Sequence, residues 1–362
     1  MMALHHRRRR RRWPVVAAAA TACLPTATGA AAVFNSATNA TTPQVTLITF
    51  LDCGSVAKFA LALRNKACYA RRQGYRYEVK MLPSAKDITY RKPFVMLDAL
   101  RRAPRESLVV WTDADLIIMR SNRTFLEFVD LQAADLWMTD HNCNPNNGAI
   151  AVRVNDFGFQ FLKDWAEVCQ LGQFPFTDQG AFYETLLRRA GGVSLIDTCD
   201  LLKTTQKVEP LMSCVMREWD AIFGAFDGAT DRVAGRIGLR RAADGYNNHL
   251  CNDKHRHQYC RRVGGWAPSV CFRNGMFALH GRSPERSKAL NVPAANYDSA
   301  SLVDVSLRRC VRRRKGGGKD DVDDVVKPLR EACAAISSSK QVAEPTTTDD
   351  ASWVNVGAPA LF

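Results

Sequence analysis

Leu108-Val-Val-Trp-Thr-Asp-Ala-Asp-Leu-Ile-Ile-Met119 decides how this chain is read. Two apolar runs flank two carboxylates, Asp113 and Asp115, one residue apart. A continuous apolar run is what a strand covered on both faces requires. If extended geometry persists through the pair, side chains at i and i+2 leave the same face, and both carboxylates enter one small volume. Like charges that close raise one another's pKa unless a cation compensates them. Oxygen ligands suit a divalent ion such as Mg²⁺ or Mn²⁺. The competing reading is a turn with two solvated aspartates.

Upstream of this stretch the pattern alternates strand and helix. Val45–Leu51 is β-branched and apolar; Val56, Phe59, Ala60, Leu63, Ala67 and Ala70 follow at helical spacing, with Gly74 placed to end the helix. Tyr75–Leu82 reads as a strand, and Pro93 opens a helix running to about Ala103. Strand–helix–strand–helix–strand predicts right-handed crossovers and a parallel sheet. Ligands in such sheets sit beyond the carboxyl ends of the strands, where Asp113 and Asp115 fall.

Downstream, Leu136–Thr139 and Ala149–Val154 read as strands around the turn-rich loop Asp140–Gly148. A helix from about Asp156 buries Phe157, Phe161, Trp165 and Val168. Another runs from Asp178 to Arg189, with Thr177 as its expected cap and Gly191-Gly192 as its end. Cys271–Leu279 reads as a strand entering His280-Gly281-Arg282. The tail from Val311 is expected to be largely unordered, apart from a short helix near Val325–Ile336. No internal repeat is present.

A chain of 362 residues, 46% hydrophobic, buries a full core. Six of its fourteen net positive charges are the run Arg7–Arg12, which leaves a mildly basic body of +8. That balance suits an anionic substrate such as a nucleotide diphosphate. A nucleic-acid binder would rest on the arginine run alone. The run precedes an alanine-rich apolar stretch, Trp13–Phe34, interrupted by Pro14 and Pro25. This is the layout of a signal peptide or signal anchor over 1–34, followed by a short stem over 35–43. Asn39-Ala40-Thr41 and Asn122-Arg123-Thr124 are glycosylation sequons, which carry meaning in a secretory protein. Twelve cysteines agree with an oxidising compartment, and eleven remain without Cys23 of the leader. His249, Cys251, His255, His257 and Cys260 fit no standard zinc spacing, so a Cys251–Cys260 disulfide or no bond is the reading there.

Several stretches together resemble one family. They are Asn65-Lys66…Tyr69-Ala70…Gly74-Tyr75, Lys92-Pro93, and Trp111-Thr-Asp-Ala-Asp115. Asn147-Gly148, Thr177-Asp178-Gln179-Gly180-Ala181 and His280-Gly281 follow in order. The chain resembles the galactosyl/xylosyl/mannosyl-transferase family of plants and fungi, retaining GT-A glycosyltransferases (glycosyltransferase family 34). The set spans roughly residues 45 to 290 and departs from the family at Gly281-Arg282-Ser283-Pro284. The resemblance implies a GT-A nucleotide-diphospho-sugar transferase domain over 44–310, with a Rossmann-like, mostly parallel sheet flanked by helices. It implies transfer of a hexose or pentose from a nucleotide-diphosphate sugar to a glycan or glycoprotein hydroxyl, in the Golgi.

Residue by residue, the resemblance makes Asp113, Asp115 and His280 ligands of Mn²⁺ or Mg²⁺, the imidazole favouring Mn²⁺. It makes Lys66, Lys92, Arg282 and Lys288 phosphate partners. Asp140 and Asn147 would hold donor hydroxyls or acceptor. Asp178 and Gln179 would lie by the anomeric carbon, where the Gln179 carbonyl steadies positive charge and Asp178 attacks covalently or binds hydroxyls. Trp111 is read as core behind the metal. The rival readings are an inverting GT-A enzyme and a non-catalytic glycan-binding or scaffold subunit of the same fold.

Overall fold

The computed structural model describes residues 43–83, 88–141, 144–172, 174–202, 208–225, 229–241, 248–249, 261–262, 265–266, 277–280, 323–339 and 352–355. The leader over 1–34, the stem up to residue 42 and the Cys251–Cys260 pair lie outside them. Among the described residues no helix is long and apolar enough to cross a membrane.

The first β–α–β passage forms as the alternation of apolar runs requires. Strand β1 (Val45–Asp52) leads through a 3-10 turn into α1 (Val56–Gln73). Gly74 ends α1 in the left-handed conformation (φ 70°), and its N–H returns to the carbonyls of Ala70 and Arg71. Strand β2 (Arg76–Leu82) and helix α2 (Lys92–Arg102) follow, with Pro93 in the first turn of α2, where no N–H is needed. Strand β3 (Leu108–Thr112) is buried throughout, and the two-residue β4 (Ile117–Ile118) follows the acidic pair. Then come β5 (Leu136–His141), β6 (Asn144–Arg153), α3 (Asp156–Gln170), α4 (Asp178–Gly191), α5 (Leu195–Thr198) and α6 (Val208–Phe223). The remaining strands are β7 (Arg232–Ala234), β8 (Ile237–Arg240), β9 (Asn248–His249), β10 (Arg261–Arg262), β11 (Gly265–Trp266) and β12 (Ala278–His280). Helix α7 (Asp323–Ser339) and strand β13 (Ser352–Asn355) come last.

The main sheet runs β13-β2-β1-β3-β6-β5-β8-β7, and a three-stranded sheet runs β4-β12-β9. Parallel pairing is confined to β2-β1-β3 and β5-β8; the other pairs are antiparallel, so the sheet is mixed. Its two faces carry separate apolar layers. Leu47, Tyr77, Val79, Val110 and Ala151 join one layer with α1 and α7. Ile48, Val109, Trp111, Ile150 and Val152 join the other with α2, α3, α4 and α6. Neighbours along each strand alternate between these layers, as the two-residue period dictates. Of the aromatic face expected on α3, Phe161, Trp165 and Val168 are buried, while Phe157 is only partly covered.

The helix expected near Val325–Ile336 is present as α7, and a strand not expected in the tail, β13, joins the main sheet. Val325, Val326 and Leu329 of α7 enter the core, and a disulfide joins Cys333 to Cys53 at the end of β1. Strand β13 pairs antiparallel with β2 and covers its edge. The indole N–H of Trp353 donates to Asp98 Oδ2 at 2.6 Å, and its ring lies against the guanidinium of Arg102 and the ammonium of Lys80. Composition alone hid this, because one tryptophan and one apolar helix face dock among polar residues.

Candidate functional site

The site begins where β3 stops. Thr112 still pairs with Ala149 of β6, and the N–H of Asp113 donates to the Gly148 carbonyl at 2.8 Å. The chain then leaves the extended path: Leu116 N–H returns to the Asp113 carbonyl at 3.1 Å, closing a turn over Asp113–Leu116. Asp113 and Asp115 therefore do not project from one strand face. They occupy the rim of a tight turn, both half-buried, with the Asp113 side chain 26% exposed.

Lys66 of α1 lies beneath this turn and is completely buried. Its ammonium donates to the carbonyls of Asp113 (2.5 Å) and Ala114 (3.3 Å) and to Thr49 Oγ1 (3.2 Å). Thr49 in turn donates to the Thr112 carbonyl at 2.6 Å. Burial pushes the Lys66 pKa down to about 7, against the pull of Asp115 and Asp113. Its three donor directions meet protein oxygens, so Lys66 props the acidic turn.

Lys92 is the centre of the arrangement. It opens α2, is 4% exposed, and lies 2.9 Å from Asp113 Oδ1 and 3.0 Å from Asp178 Oδ2. It also donates to the Asn147 carbonyl (3.2 Å) and to Asn147 Oδ1 (3.1 Å), while its charge sits 5.3 Å from the centre of the Trp111 ring. Burial disfavours the ammonium, but Asp113 and Asp178 outweigh it and raise its pKa above the ordinary lysine value. Lys92 faces two carboxylates, while the charge of Asp115 acts on Lys66.

Asn147 reaches this centre because β6 bulges. Consecutive β5 residues Met138 and Thr139 pair with Ile150 and Asn146, so Asn147, Gly148 and Ala149 have no opposite number on β5. The freed Asn147 N–H donates to Gln179 Oε1 at 3.0 Å, and its side-chain amide donates to Asp178 Oδ2 at 2.7 Å. Gln179 returns a bond from Nε2 to the Pro145 carbonyl at 3.0 Å. The Gln179 carbonyl, expected to face a sugar, thus already spends one lone pair on Asn147.

Asp178 and Gln179 form the first turn of α4, where the helix dipole favours a carboxylate. The expected Thr177 cap is not made. Thr177 has φ 56°, Phe176 before it has φ 65°, and Thr177 Oγ1 instead contacts Asp178 Oδ1 at 3.1 Å. Two adjacent non-glycine residues in the left-handed region are strained. Packing holds them there: a Cβ on Gly180 would overlap the Pro175 carbonyl oxygen, and the Phe174 N–H is held by the Tyr90 hydroxyl at 2.9 Å.

The structure therefore brings Asp113, Asp115, Lys66, Lys92, Asn147, Asp178 and Gln179 together. Strand β12 pairs antiparallel with β4, Leu279 opposite Ile117, so the His280 backbone lies one step further along, towards the acidic turn. The side chains of His280 and Asp140 lie outside the described residues, as do Arg282 and Lys288 entirely. Among the described residues no three His, Cys, Asp or Glu side chains cluster as a metal site. Asp113 and Asp115 nevertheless offer the hard oxygen donors that Mg²⁺ or Mn²⁺ takes.

Trp111 is more than the core residue expected: its indole N–H donates to Asp113 Oδ1 at 2.8 Å. The i, i+2 spacing of Trp111 and Asp113 was the available signal for that bond. No sequence pattern marked Thr49 or the β6 bulge.

No family model matches the chain, and no curated protein matches it. Among solved structures, it is similar to a glycosyltransferase involved in glycosylation of the major capsid of PBCV-1, at 14% identity and a TM-score of 0.43 over 68% of this chain and 98% of that one. The galactosyltransferase LgtC, solved with donor and acceptor sugar analogues, aligns at 9% identity and a TM-score of 0.33 over 74% of this chain and 97% of that one. The glycosyltransferase GlyE of Streptococcus pneumoniae aligns at 12% identity and a TM-score of 0.28, covering 39% of this chain and 42% of that one.

Proposed function

We propose that the chain is a metal-dependent GT-A glycosyltransferase. It moves a hexose or pentose from a nucleotide-diphosphate sugar to a glycan hydroxyl, with retention of anomeric configuration. The observation that carries this reading is the buried Lys92, joining the acidic turn (Asp113) to the first turn of α4 (Asp178) through Asn147. The family resemblance supports it, because these are the residues that resemblance assigns to the donor site.

The acidic turn stands at the carboxyl end of β3, where an α/β sheet receives its ligand. Asp113 and Asp115, with His280 from β12, would hold the divalent ion, which supplies the charge that lets a diphosphate leave. Lys66 and Trp111 keep the turn and the Asp113 carboxylate in place. Lys92 and Asn147 hold the Asp178 carboxylate, and an anion so compensated is a weak nucleophile. Gln179 is weaker still. Front-face attack follows: the acceptor oxygen bonds to C1 as the C1–O bond to the diphosphate breaks, and the departing phosphate oxygen takes the acceptor's proton. The second lone pair of the Gln179 carbonyl would steady the positive sugar.

The disulfides Cys53–Cys333 and Cys199–Cys214 support a secretory, Golgi location. The test is turnover of a panel of nucleotide sugars with Mn²⁺. Activity is expected with at least one donor, to be lost in Asp115→Ala, and the product anomer read by NMR is expected to match the donor's. No turnover or hydrolysis of any donor by the wild-type chain would overturn the reading.

A further inference from the structure

The sequon Asn122-Arg123-Thr124 plays no part in the site, yet the fold displays it. Asn122 is exposed in the turn that follows β4. The backbone around it is fastened to α1 at three levels. Asn65 exchanges two hydrogen bonds with Ile118 (2.9 and 2.7 Å). The Tyr69 hydroxyl donates to the Arg123 carbonyl (2.8 Å), and Gln73 donates to the Ser121 carbonyl (2.5 Å). Beyond the sequon, Thr124 and Glu127 close a capping box on a 3-10 turn. The backbone flanking Asn122 is tied down, while Asn122 itself is exposed.

The same rungs measure its distance from the site. Asn65, Tyr69 and Gln73 follow one another at one helical turn each, so the ladder covers about 12 Å of α1. Lys66, next to Asn65, lies under the acidic turn, whereas Gln73 ends the helix. A crossover helix runs back toward the amino ends of the strands it connects. Asn122 therefore lies at the end of α1 away from the carboxyl edge of β1 and β3, and a large substituent there leaves the acidic turn open.

Two disulfides place the chain where thiols are oxidised, the compartment in which asparagine-linked glycans are added. We propose that Asn122 is an N-glycosylation site. In the step, Asn122 Nδ2 bonds to C1 of an oligosaccharide while the C1–O bond to a lipid diphosphate breaks. The diphosphate leaves with the electron pair, and the amide gives up one proton. The backbone on both sides of Asn122 is fastened once the chain folds, so the modification precedes folding of this segment. This inference is independent of the transferase reading.

The test is expression of the full chain in a glycosylating eukaryotic host, followed by peptide mass spectrometry before and after an N-glycan amidase. Asn122 is expected to carry glycan in most molecules, to lose it in Asn122→Gln and Thr124→Ala, and to keep it in Thr124→Ser. Asn39→Gln separates the second sequon. Donor turnover in Asn122→Gln is expected within twofold of wild type, and a larger fall would overturn the placement away from the site. An unmodified Asn122 in wild-type chain carrying the Cys53–Cys333 bond would overturn the proposal, as would a chain found with all its cysteines reduced. The wild-type peptide decides even if Thr124→Ala fails to fold.

Discussion

Lys92 holds two carboxylates that would otherwise face each other in a poorly solvated space. Removing one partner of a buried ion pair costs about 3–5 kcal/mol, because the remaining charge stays behind. Lys92→Met is therefore expected to lower unfolding stability by that amount in a urea titration and to abolish donor turnover. Lys92→Arg is not expected to rescue turnover, since a planar fork does not fit four oxygens arranged around a compact ammonium. Lys66 behaves differently. Its folded pKa of about 7 lies below the unfolded value of 10.5, so between the two the unfolded chain binds more protons. Stability from this group thus rises as pH climbs from 7 towards 10, by at most about 1.4 kcal/mol per pH unit, and the burial penalty is fully present below 7. Metal-free wild type measured at pH 7, 8 and 9 is expected to show this rise, and Lys66→Met to lack it. Thr177 tests strain: Thr177→Gly is expected to gain about 1 kcal/mol by relieving the positive φ. It is also expected to lose turnover, because the hydroxyl contact to Asp178 goes. Gain of stability without loss of turnover would show that Thr177 does not position Asp178.

At the scale of elements, the tail binds the first half of the domain together. The Cys53–Cys333 bond closes a loop across 280 positions, for which chain-entropy arguments allow at most about 5–6 kcal/mol. Cys333→Ser is expected to melt at lower temperature than wild type without reductant, and the two are expected to converge when reductant is added. Strand β13 and Trp353 also shield the β2 edge. Asp98, where burial alone would raise the pKa, is held low by the Trp353 indole and Lys80. The bulge in β6 is the other decisive element, because without it Asn147 would point along the β5 ladder instead of towards Lys92.

For the whole molecule, the proposed chemistry requires a divalent ion and a nucleotide sugar bound together at the carboxyl edge of the sheet. A ligand that binds only the folded form stabilises it by about 2.7 kcal/mol at a hundredfold excess over Kd. Mn²⁺ with the correct donor is expected to raise the melting temperature more than either alone, and Asp113→Asn to remove that synergy. The strand–helix alternation, Gly74 as a helix end, Pro93 as a helix start and the placing of Asp113 beyond a buried strand were all legible in the chain. Local rules govern them: backbone propensity, and the period of apolar side chains. Less legible were the antiparallel half of the sheet and the two docked pieces of the tail.

Residue order by itself therefore determined that this is an α/β chain with a carboxylate pair at a strand end, since burial period and turn chemistry act over a few neighbours. Which side chains meet was decided only by tertiary structure. That Lys66 supports the turn while Lys92 neutralises it, and that Gln179 is clamped to Asn147, depends on contacts between residues 21 to 47 positions apart. Burial and charge balance at those contacts are recorded in no local pattern.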